Sequence, residues 1–345
     1  MESKYTNDEY TIGWICALQK EFKAATAMLT EEHGLPQSLP EEDDNAYMLG
    51  KIGHHKVVIA CLPAGRTGTN PAAVVANSMR RTFTSLQFGL LVGVGGGVPQ
   101  PFAGKDVRLG DVVVSVPNGA YGGVVQYDFG KLEAGRSGSV HRGHLCSPPE
   151  KLLSNVTLLQ IHIEKLRNPA TYLKDFLAEL EESRNGYEYP GVEDKLFRSS
   201  YIHDGSKAVG PRPGGSPMDD CANCNERELV TGRKQRKDNI PVVHLGTIAS
   251  GNSVMKDAKI RDYIDQCYDN TVLCFEMEAA GLMNTFPCLV IRGISNYADS
   301  HKNDSWRNRA IAAASVYAKA LITIIRPEDV DELPKADKPV AELAK

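Results

Sequence analysis

Five short apolar runs constrain the fold of this chain more than any other feature. They are Tyr10–Cys16, Lys56–Leu62, Gly89–Val94, Asp111–Val116 and Cys288–Ile294. Each is nearly continuous rather than alternating, which is the pattern of a strand buried on both faces. Helical periodicity fills the intervals. Gln19–Leu29 places Phe22, Ala25, Met28 and Leu29 on one face. A second helix is predicted from Pro71 to Phe83, with proline at the first helical position, where its missing N–H costs nothing. A third, Trp306–Ile325, is rich in alanine, so close packing is expected; Asn303 or Asp304 is placed to cap it. Strands that alternate with helices in this way predict an α/β sheet covered on both faces.

Composition sets the limits. The 345 residues are 42% hydrophobic and 24% charged, enough to bury a large core without staples. Lys and Arg total 39 against 43 Asp and Glu, a net charge of −4, which argues against a nucleic-acid partner. No apolar run reaches the ~18–20 residues of a membrane helix. Met1–Tyr10 is polar and has no signal-peptide segment, so a cytoplasmic protein is expected. Four of the eight cysteines (Cys16, Cys61, Cys274 and Cys288) sit in apolar runs and read as buried thiols rather than a disulfide framework. Residues 184–240, rich in Gly, Pro, Ser and charge, read as an irregular insertion within a main domain spanning 1–326. Residues 327–345 read as a polar tail that frays.

Several motifs carry chemical potential. Gly93-Val-Gly95-Gly96-Gly97 lets a ligand approach the backbone and presents N–H groups to an anion, or is simply a tight strand exit. It is not a dinucleotide fingerprint, because Val98-Pro99 follows where a helix should open. Glu276-Met-Glu278 sets two acids in an apolar context, which is costly unless they bind something such as a sugar diol; the alternative is a helix N-terminus favoured by negative charge. Arg292–Asp299 follows the last strand, at the carboxyl edge where α/β sheets bind ligands. Glu21 lies at the corresponding edge, in the first turn after the first strand. Cys221-Ala-Asn-Cys224 has zinc spacing, but four-ligand sites usually need two such pairs. Nothing in the sequence brings His203 or His244 near, so no metal or cofactor is expected.

Together these segments resemble the nucleoside phosphorylase/nucleosidase superfamily. They are most similar to the methylthioadenosine/S-adenosylhomocysteine nucleosidases and to the phosphorylase-like domain of fungal NOD-like immune receptors. The matching pieces are Ile12–Glu21, Val92–Val98 with Leu109–Val114, Ile248–Met255, Glu276–Ala279 and Arg292–Asp299, in order across residues 8–326. The larger 184–240 segment fits the fungal variety. The resemblance implies a three-layer α/β fold, a central twisted mixed sheet flanked by helices. It implies that Glu278 binds the ribose hydroxyls beside Glu276, that Met277 packs on the sugar, and that Val254 and Met255 line the base. Gly95 and Gly96 then approach the ribose, Ser295 and Asp299 belong to the base segment, and Glu21 activates the attacking water. A homo-oligomer is also implied. No oligomerisation domain or repeat array follows, so the chain reads as a stand-alone enzyme or an excised effector domain.

The nucleophile separates two reactions. Phosphorylases of this superfamily hold phosphate with arginines in a Gly-Asp-Pro-x-Arg segment and an Arg-x-Gly-Ser turn. The corresponding segments here read Ala17-Leu-Gln-Lys-Glu21 and Leu91-Val-Gly-Val94. A carboxylate repels phosphate but accepts a proton from water, so hydrolysis of the N-glycosidic bond is expected over phosphorolysis. Asn296 departs from the nucleosidases, which carry Asp there to protonate the leaving base. An amide donates a hydrogen bond but is no acid. Three readings remain open: a preference for 6-oxopurines, a slow or degenerate, ligand-sensing member, or an engineered Asp→Asn variant that traps substrate. The expected substrate is a purine nucleoside (adenosine, guanosine or inosine), or ATP, since some immune effector domains of this type remove adenine from ATP. A triphosphate needs cations. The candidates are Arg66, Lys105, Arg136, Arg142 and Arg233-Lys-Gln-Arg-Lys237, the last alternatively a solvated loop.

Overall fold

The computed structural model describes residues 2–132, 139–141, 143–165, 177–178, 186–203, 221, 223–236 and 238–336. The parallel centre of the sheet is built from β1 (Ile12–Cys16), β4 (His55–Cys61), β5 (Phe88–Gly97) and β12 (Cys288–Asn296). Successive residues of these strands feed two different cores. Ile12, Trp14, Val57, Ile59, Phe88, Leu90, Leu289 and Ile291 face one side. Ile15, Val58, Ala60, Leu91 and Val290 face the other. That double burial is why the runs are continuous in the sequence. Each fully buried Ile or Leu stabilises the fold by ~1.5–3 kcal/mol.

Helices cover both faces. On the first lie α1 (Gln19–Ala27), α3 (Glu150–Lys165) and the long helix α5 (Arg307–Ile324); on the second lies α2 (Thr69–Thr82). A further helix, α4 (Ala258–Cys267), follows the strand β10 (Val243–Ser250). Residues Arg309–Ile322 of α5 are buried throughout. A Cβ on Gly293 of β12 would lie 1.8 Å from the Ala310 carbonyl oxygen, so helix and strand meet with no room for a side chain.

The remaining strands make the sheet mixed. β3 (Tyr47–Ile52) pairs antiparallel with β4, and β2 (Glu31–Gly34) with β3. On the other side, β6 (Val112–Ser115) pairs antiparallel with β12, and β10 pairs parallel with β6, β7 (Val124–Gln126) and β11 (Val272–Glu276). β11 also pairs antiparallel with the end of β5, Phe275 opposite Gly96 and Cys274 opposite Gly97. The strands β5, β12, β6, β10 and β11 therefore close on themselves. A separate hairpin joins β8 (Gly130–Leu132) to β9 (Ser139–His141).

Several expectations need correction. The glycine run is not a strand exit but the last five residues of β5 itself. A Cβ on Gly95 would lie 3.1 Å from the Phe275 carbonyl oxygen, and one on Gly97 2.9 Å from Ile294 Cγ2, so the glycines let β5 lie between two neighbours. Arg292–Asn296 is likewise part of β12 rather than a loop after it. α2 starts at Thr69, which makes Pro71 its third residue, still among the N–H positions with no helical acceptor. Trp306 stands at the start of α5 with no side-chain cap; Asn303 accepts the Ser305 N–H instead (3.0 Å), and Asp304 pairs with Arg307 (2.5 Å). The tail does not fray over residues 327–336. It forms α6 (Pro327–Asp331), buries Val330 and Ala336, and ties Asp329 to Arg326 (2.8 Å) and Lys151 (3.0 Å). Residues 337–345 lie outside the described residues.

The described part of the insertion is irregular apart from one 3-10 turn, Glu226–Glu228, and a bridge between Phe197 and Leu229. In its basic run Lys234 and Gln235 are exposed, as a solvated loop would have them, but two arginines are paired. Arg233 pairs with Asp106 (3.0 Å) and Asp194 (3.5 Å), and Arg236 with the fully buried Asp111 (2.5 Å), so these arginines fasten the insertion to the main body.

Candidate active site

The carboxyl ends of β1 and β12, the glycine end of β5, the end of β11 and the loop after β10 surround a cleft of about 210 Å³. Its wall combines three carboxylates, one buried arginine and a set of apolar side chains.

Glu21 reaches the cleft because α1 begins immediately after β1. Its carboxylate is only 2% exposed and accepts three backbone N–H bonds: from Ala17 and Leu18 (both 2.9 Å) and from Val94 (2.8 Å). Gly93 makes this approach possible, since a Cβ there would fall 2.6 Å from both Glu21 Oε1 and Arg292 Nη1. Burial pushes the Glu21 pKa above the usual carboxylate range, although Arg292 and the three N–H groups oppose it. A carboxylate held this way is fixed in place and has raised proton affinity.

Arg292 organises the other two acids. It is 1% exposed and donates from Nη2 to Glu276 and to Glu278 (3.2 Å). Burial disfavours its charge, but Glu276, Glu278 and Glu21 more than restore it and raise its pKa. Glu276 ends β11 and turns back to accept the N–H groups of Glu278 (3.0 Å) and Ala279 (3.0 Å), so it caps the following turn, Ala279–Gly281. The acidic pair thus divides: Glu276 is consumed by the fold, close to the helix-start alternative. Glu278 has fewer partners, accepting the Gly68 N–H (3.2 Å) besides Arg292. Burial, with the nearby carboxylates of Glu276 and Glu21, pushes its pKa up to about 7 against the pull of Arg292.

At the end of β12 the register with β5 slips between Ile294 and Asn296, so Ser295 bulges and Asn296 is set opposite Gly96. Asn296 Nδ2 donates to Ser295 Oγ (2.9 Å), and its Oδ1 accepts the Ala298 N–H (3.0 Å). That second bond holds Ala298 in a left-handed conformation, φ 53°, which costs an alanine ~1–2 kcal/mol. The second amide proton of Asn296 remains available to a ligand. The loop after β10 is anchored by Asn252, whose Oδ1 accepts from Thr69 N and Oγ1 (both 3.0 Å), and it carries Val254 and Met255 to the mouth. Val254 is 55% exposed there, an apolar side chain at the rim of the cleft.

The cleft brings together Glu21, Gly95, Gly96, Val254, Met255, Glu276, Met277, Glu278, Ser295 and Asn296. Two expected residues are not among its walls. Arg66 is exposed on the preceding loop, with Thr67 lining the cleft instead. Asp299 is buried behind it, accepting the His301 N–H (3.0 Å) as a turn cap. Lys105, proposed for phosphates, donates to the Asn270 carbonyl oxygen away from the cleft. Arg136, Arg142 and Lys237 lie outside the described residues. Sequence reasoning missed Lys302 and Arg307, two cations on the cleft wall. Burial, Arg307 and Lys256 lower the Lys302 pKa, the mark of a crowded positive site. Only a sheet-edge argument extended past Asp299 would have reached them.

This is the fold of the nucleosidases. A Streptococcus pneumoniae 5'-methylthioadenosine/S-adenosylhomocysteine nucleosidase, solved with a transition-state inhibitor, superposes with a TM-score of 0.55 at 15% identity, covering 92% of this chain and 100% of that one. The Helicobacter pylori futalosine hydrolase gives 0.54 at 16% identity, covering 92% and 99%. Among curated proteins, the chain is 46% identical over 327 residues to a nucleotide-binding leucine-rich repeat (NLR)-like protein of Hyaloscypha variabilis, covering 93% of this chain and 30% of that protein. It is 32% identical over 80 residues to the ATP nucleosidase Cap17 of Escherichia coli, covering 22% of this chain and 16% of that protein. The match therefore covers less than a third of the length of either curated relative. No family model matches it. No helix among the described residues is long and apolar enough to cross a membrane.

Proposed function

We propose that the chain is an N-ribosyl hydrolase that cleaves the glycosidic bond of a purine nucleoside or nucleotide. The observation that carries this reading is the pairing of two buried carboxylates, Glu21 and Glu278, on one cleft wall with different surroundings. Glu278 accepts from the ribose hydroxyls, and Met277 packs on the sugar. Val254, Met255 and Phe275 hold the base. Glu21 takes a proton from the attacking water, whose oxygen bonds to C1′ as the carbon–nitrogen bond breaks and the electron pair leaves with the base. Its raised pKa suits a base that must accept a proton near neutral pH. Phosphate in the place of water would face Glu21 and Glu278 together, which disfavours phosphorolysis.

Asn296 hydrogen-bonds the leaving base but supplies no proton, so departure depends on protonation from solvent. General acid catalysis is worth roughly 10²–10⁴-fold, and this chain turns over slower than its Asn296→Asp form by that factor. A second reading, a ligand-sensing module, is favoured by Asn296 alone. Lys302 and Arg307 on the wall, with the similarity to an ATP nucleosidase, point to an anionic substrate, and we place ATP ahead of the unphosphorylated nucleosides.

The test is chromatographic detection of free base from adenosine, guanosine, inosine and ATP. Each is incubated with the chain and its Asn296→Asp form, with and without phosphate. Base release without phosphate supports the hydrolase. Release only with phosphate establishes a phosphorylase, and silence from both forms on every substrate counts against the hydrolase and favours the sensing module.

A further inference from the structure

Away from the cleft, two sulfur and two imidazole donors converge between the insertion and the loop that follows β12. His203 Nδ1 lies 3.2 Å from Cys224 Sγ and 4.0 Å from Cys221 Sγ. The ligand atoms of His203, Cys224 and His301 all lie within 4.8 Å of one another. The Cys224 N–H donates to the Cys221 carbonyl (3.0 Å), the tight turn that brings both thiols of a C-x-x-C pair to one side. Cys221 Sγ also lies 4.0 Å from the His301 carbonyl oxygen. Neither cysteine is in a disulfide.

His301 supplies the second, independent observation. The residue is 8% exposed, and neither ring nitrogen has a hydrogen-bond partner among the described residues. Its ring is fixed by stacking on Phe197, with centroids 4.1 Å apart and planes 15° from parallel, and by Tyr201 at 5.3 Å. A buried polar atom left unsatisfied costs ~1–3 kcal/mol, and native structures seldom keep two on one ring.

We propose that Cys221, Cys224, His203 and His301 bind one structural zinc ion. Two thiolates and two imidazoles are the donor set of a closed tetrahedral zinc site, whereas magnesium and calcium take oxygen ligands. Bonds of ~2.3 Å to sulfur and ~2.0–2.1 Å to nitrogen put ligand atoms roughly 3.3–3.8 Å apart, close to the 3.2 and 4.0 Å between His203 Nδ1 and the two sulfurs, so only the widest separations need to close. Asp299 Oδ2 lies 3.8 Å from His301 Nδ1, so a zinc bond through Nε2 would leave Nδ1 facing an orienting carboxylate. The Ser300 hydroxyl accepts the His203 N–H (3.0 Å), joining the two segments once more.

This proposal departs from the expectation that a lone C-x-x-C pair carries no metal. The second pair of ligands comes from positions 203 and 301, which only the folded insertion brings together. His244, once a candidate, instead bonds Asp111 Oδ2 (2.9 Å). The ion would staple the insertion to the loop that carries Ala298 and Lys302 into the cleft.

The test is metal content of the full reduced chain, measured by mass spectrometry of the ions, with zinc-edge X-ray absorption. About one zinc per chain is expected, with a shell of two sulfurs and two nitrogens. Cys224→Ser and His203→Asn should each cut zinc by at least tenfold, while Cys267→Ser, on an exposed thiol of α4, should leave it unchanged. Should either variant fail to fold, chelator-stripped wild-type protein provides the second measurement, taking up one zinc and regaining thermal stability with zinc but not magnesium. The proposal is overturned by no stoichiometric zinc before or after titration, by iron in its place, by a Cys221–Cys224 disulfide, or by zinc that is lost with Cys267. None of these readouts depends on nucleosidase activity.

Discussion

Arg292 is the counter-charge on which the cleft depends, and replacing it with methionine, Arg292→Met, keeps most of its volume while deleting the charge. At 3.2 Å from Glu278, with an effective dielectric near 20, the attraction is about 5 kcal/mol for that pair. Desolvation of the arginine is relieved in the variant, but Glu276 and Glu278, each 5% exposed, lose their cation. Breaking a buried pair from one side costs ~3–5 kcal/mol, and that loss is expected at pH 8. The sign of its pH dependence follows from the carboxylates. Without Arg292 the Glu278 pKa rises beyond its present value of about 7. A carboxyl whose folded pKa exceeds its unfolded one adds stability below the unfolded value and loses it as pH rises through the folded one. The penalty should therefore shrink on acidification, by up to ~1.4 kcal/mol per pH unit. Urea unfolding followed by the fluorescence of Trp14 and Trp306 at pH 8 and pH 6 measures both quantities. A loss below about 1 kcal/mol at pH 8, or one that does not change with pH, would refute the picture of a charge-compensated cleft.

Three further outcomes are expected. With Glu278 titrating at about 7, KM for the nucleoside should rise below that pH as the carboxyl loses an acceptor site, roughly tenfold per unit on the acid limb; a flat KM between pH 5 and 8 counts against its sugar-binding role. Lys302→Ala and Arg307→Ala should each raise KM for ATP by ~10–100-fold, the worth of a charge-assisted hydrogen bond, and leave KM for adenosine within about threefold; equal effects on both substrates count against an anion site. Gly93→Ala should destabilise the fold by ~1–3 kcal/mol and lower activity, because the new methyl meets Glu21 and Arg292 at 2.6 Å; a variant with wild-type stability and kinetics would show that the approach is looser than described.

The parts of the fold that were legible in the sequence are those set by local burial. Trp14, Ile15, Val58 and Leu91 sit in strands apolar on both faces, and that pattern survives in a single sequence. The glycines of β5 were not legible as strand, because their role is to admit β11 and β12, a contact made from more than 170 residues away. The lining of the candidate cleft was legible where the chemistry is in the side chain itself, at Glu21, Glu278 and Asn296, and the family resemblance supplied the roles proposed for them. Arg292 was visible as part of a motif but not as the hub of three carboxylates, which only the folded distances reveal. Asp299 looked like a ligand because it shares the motif of Asn296, yet the bulge at Ser295 and the turn at Ala298 carry it behind the wall. Neither Lys302, past the motif, nor Arg307, in the predicted helix Trp306–Ile325, carried a signal of its own, and only the folded cleft wall brings them together.

The most direct test of the account is base release from the favoured substrate in the Asn296→Asp background, with and without phosphate, comparing Glu21 with Glu21→Gln. The account predicts release that is indifferent to phosphate and that falls by ~10²–10⁴-fold in kcat when Glu21 becomes glutamine. Release that requires phosphate, or that persists unchanged in the Glu21→Gln form, would contradict a water molecule activated by Glu21.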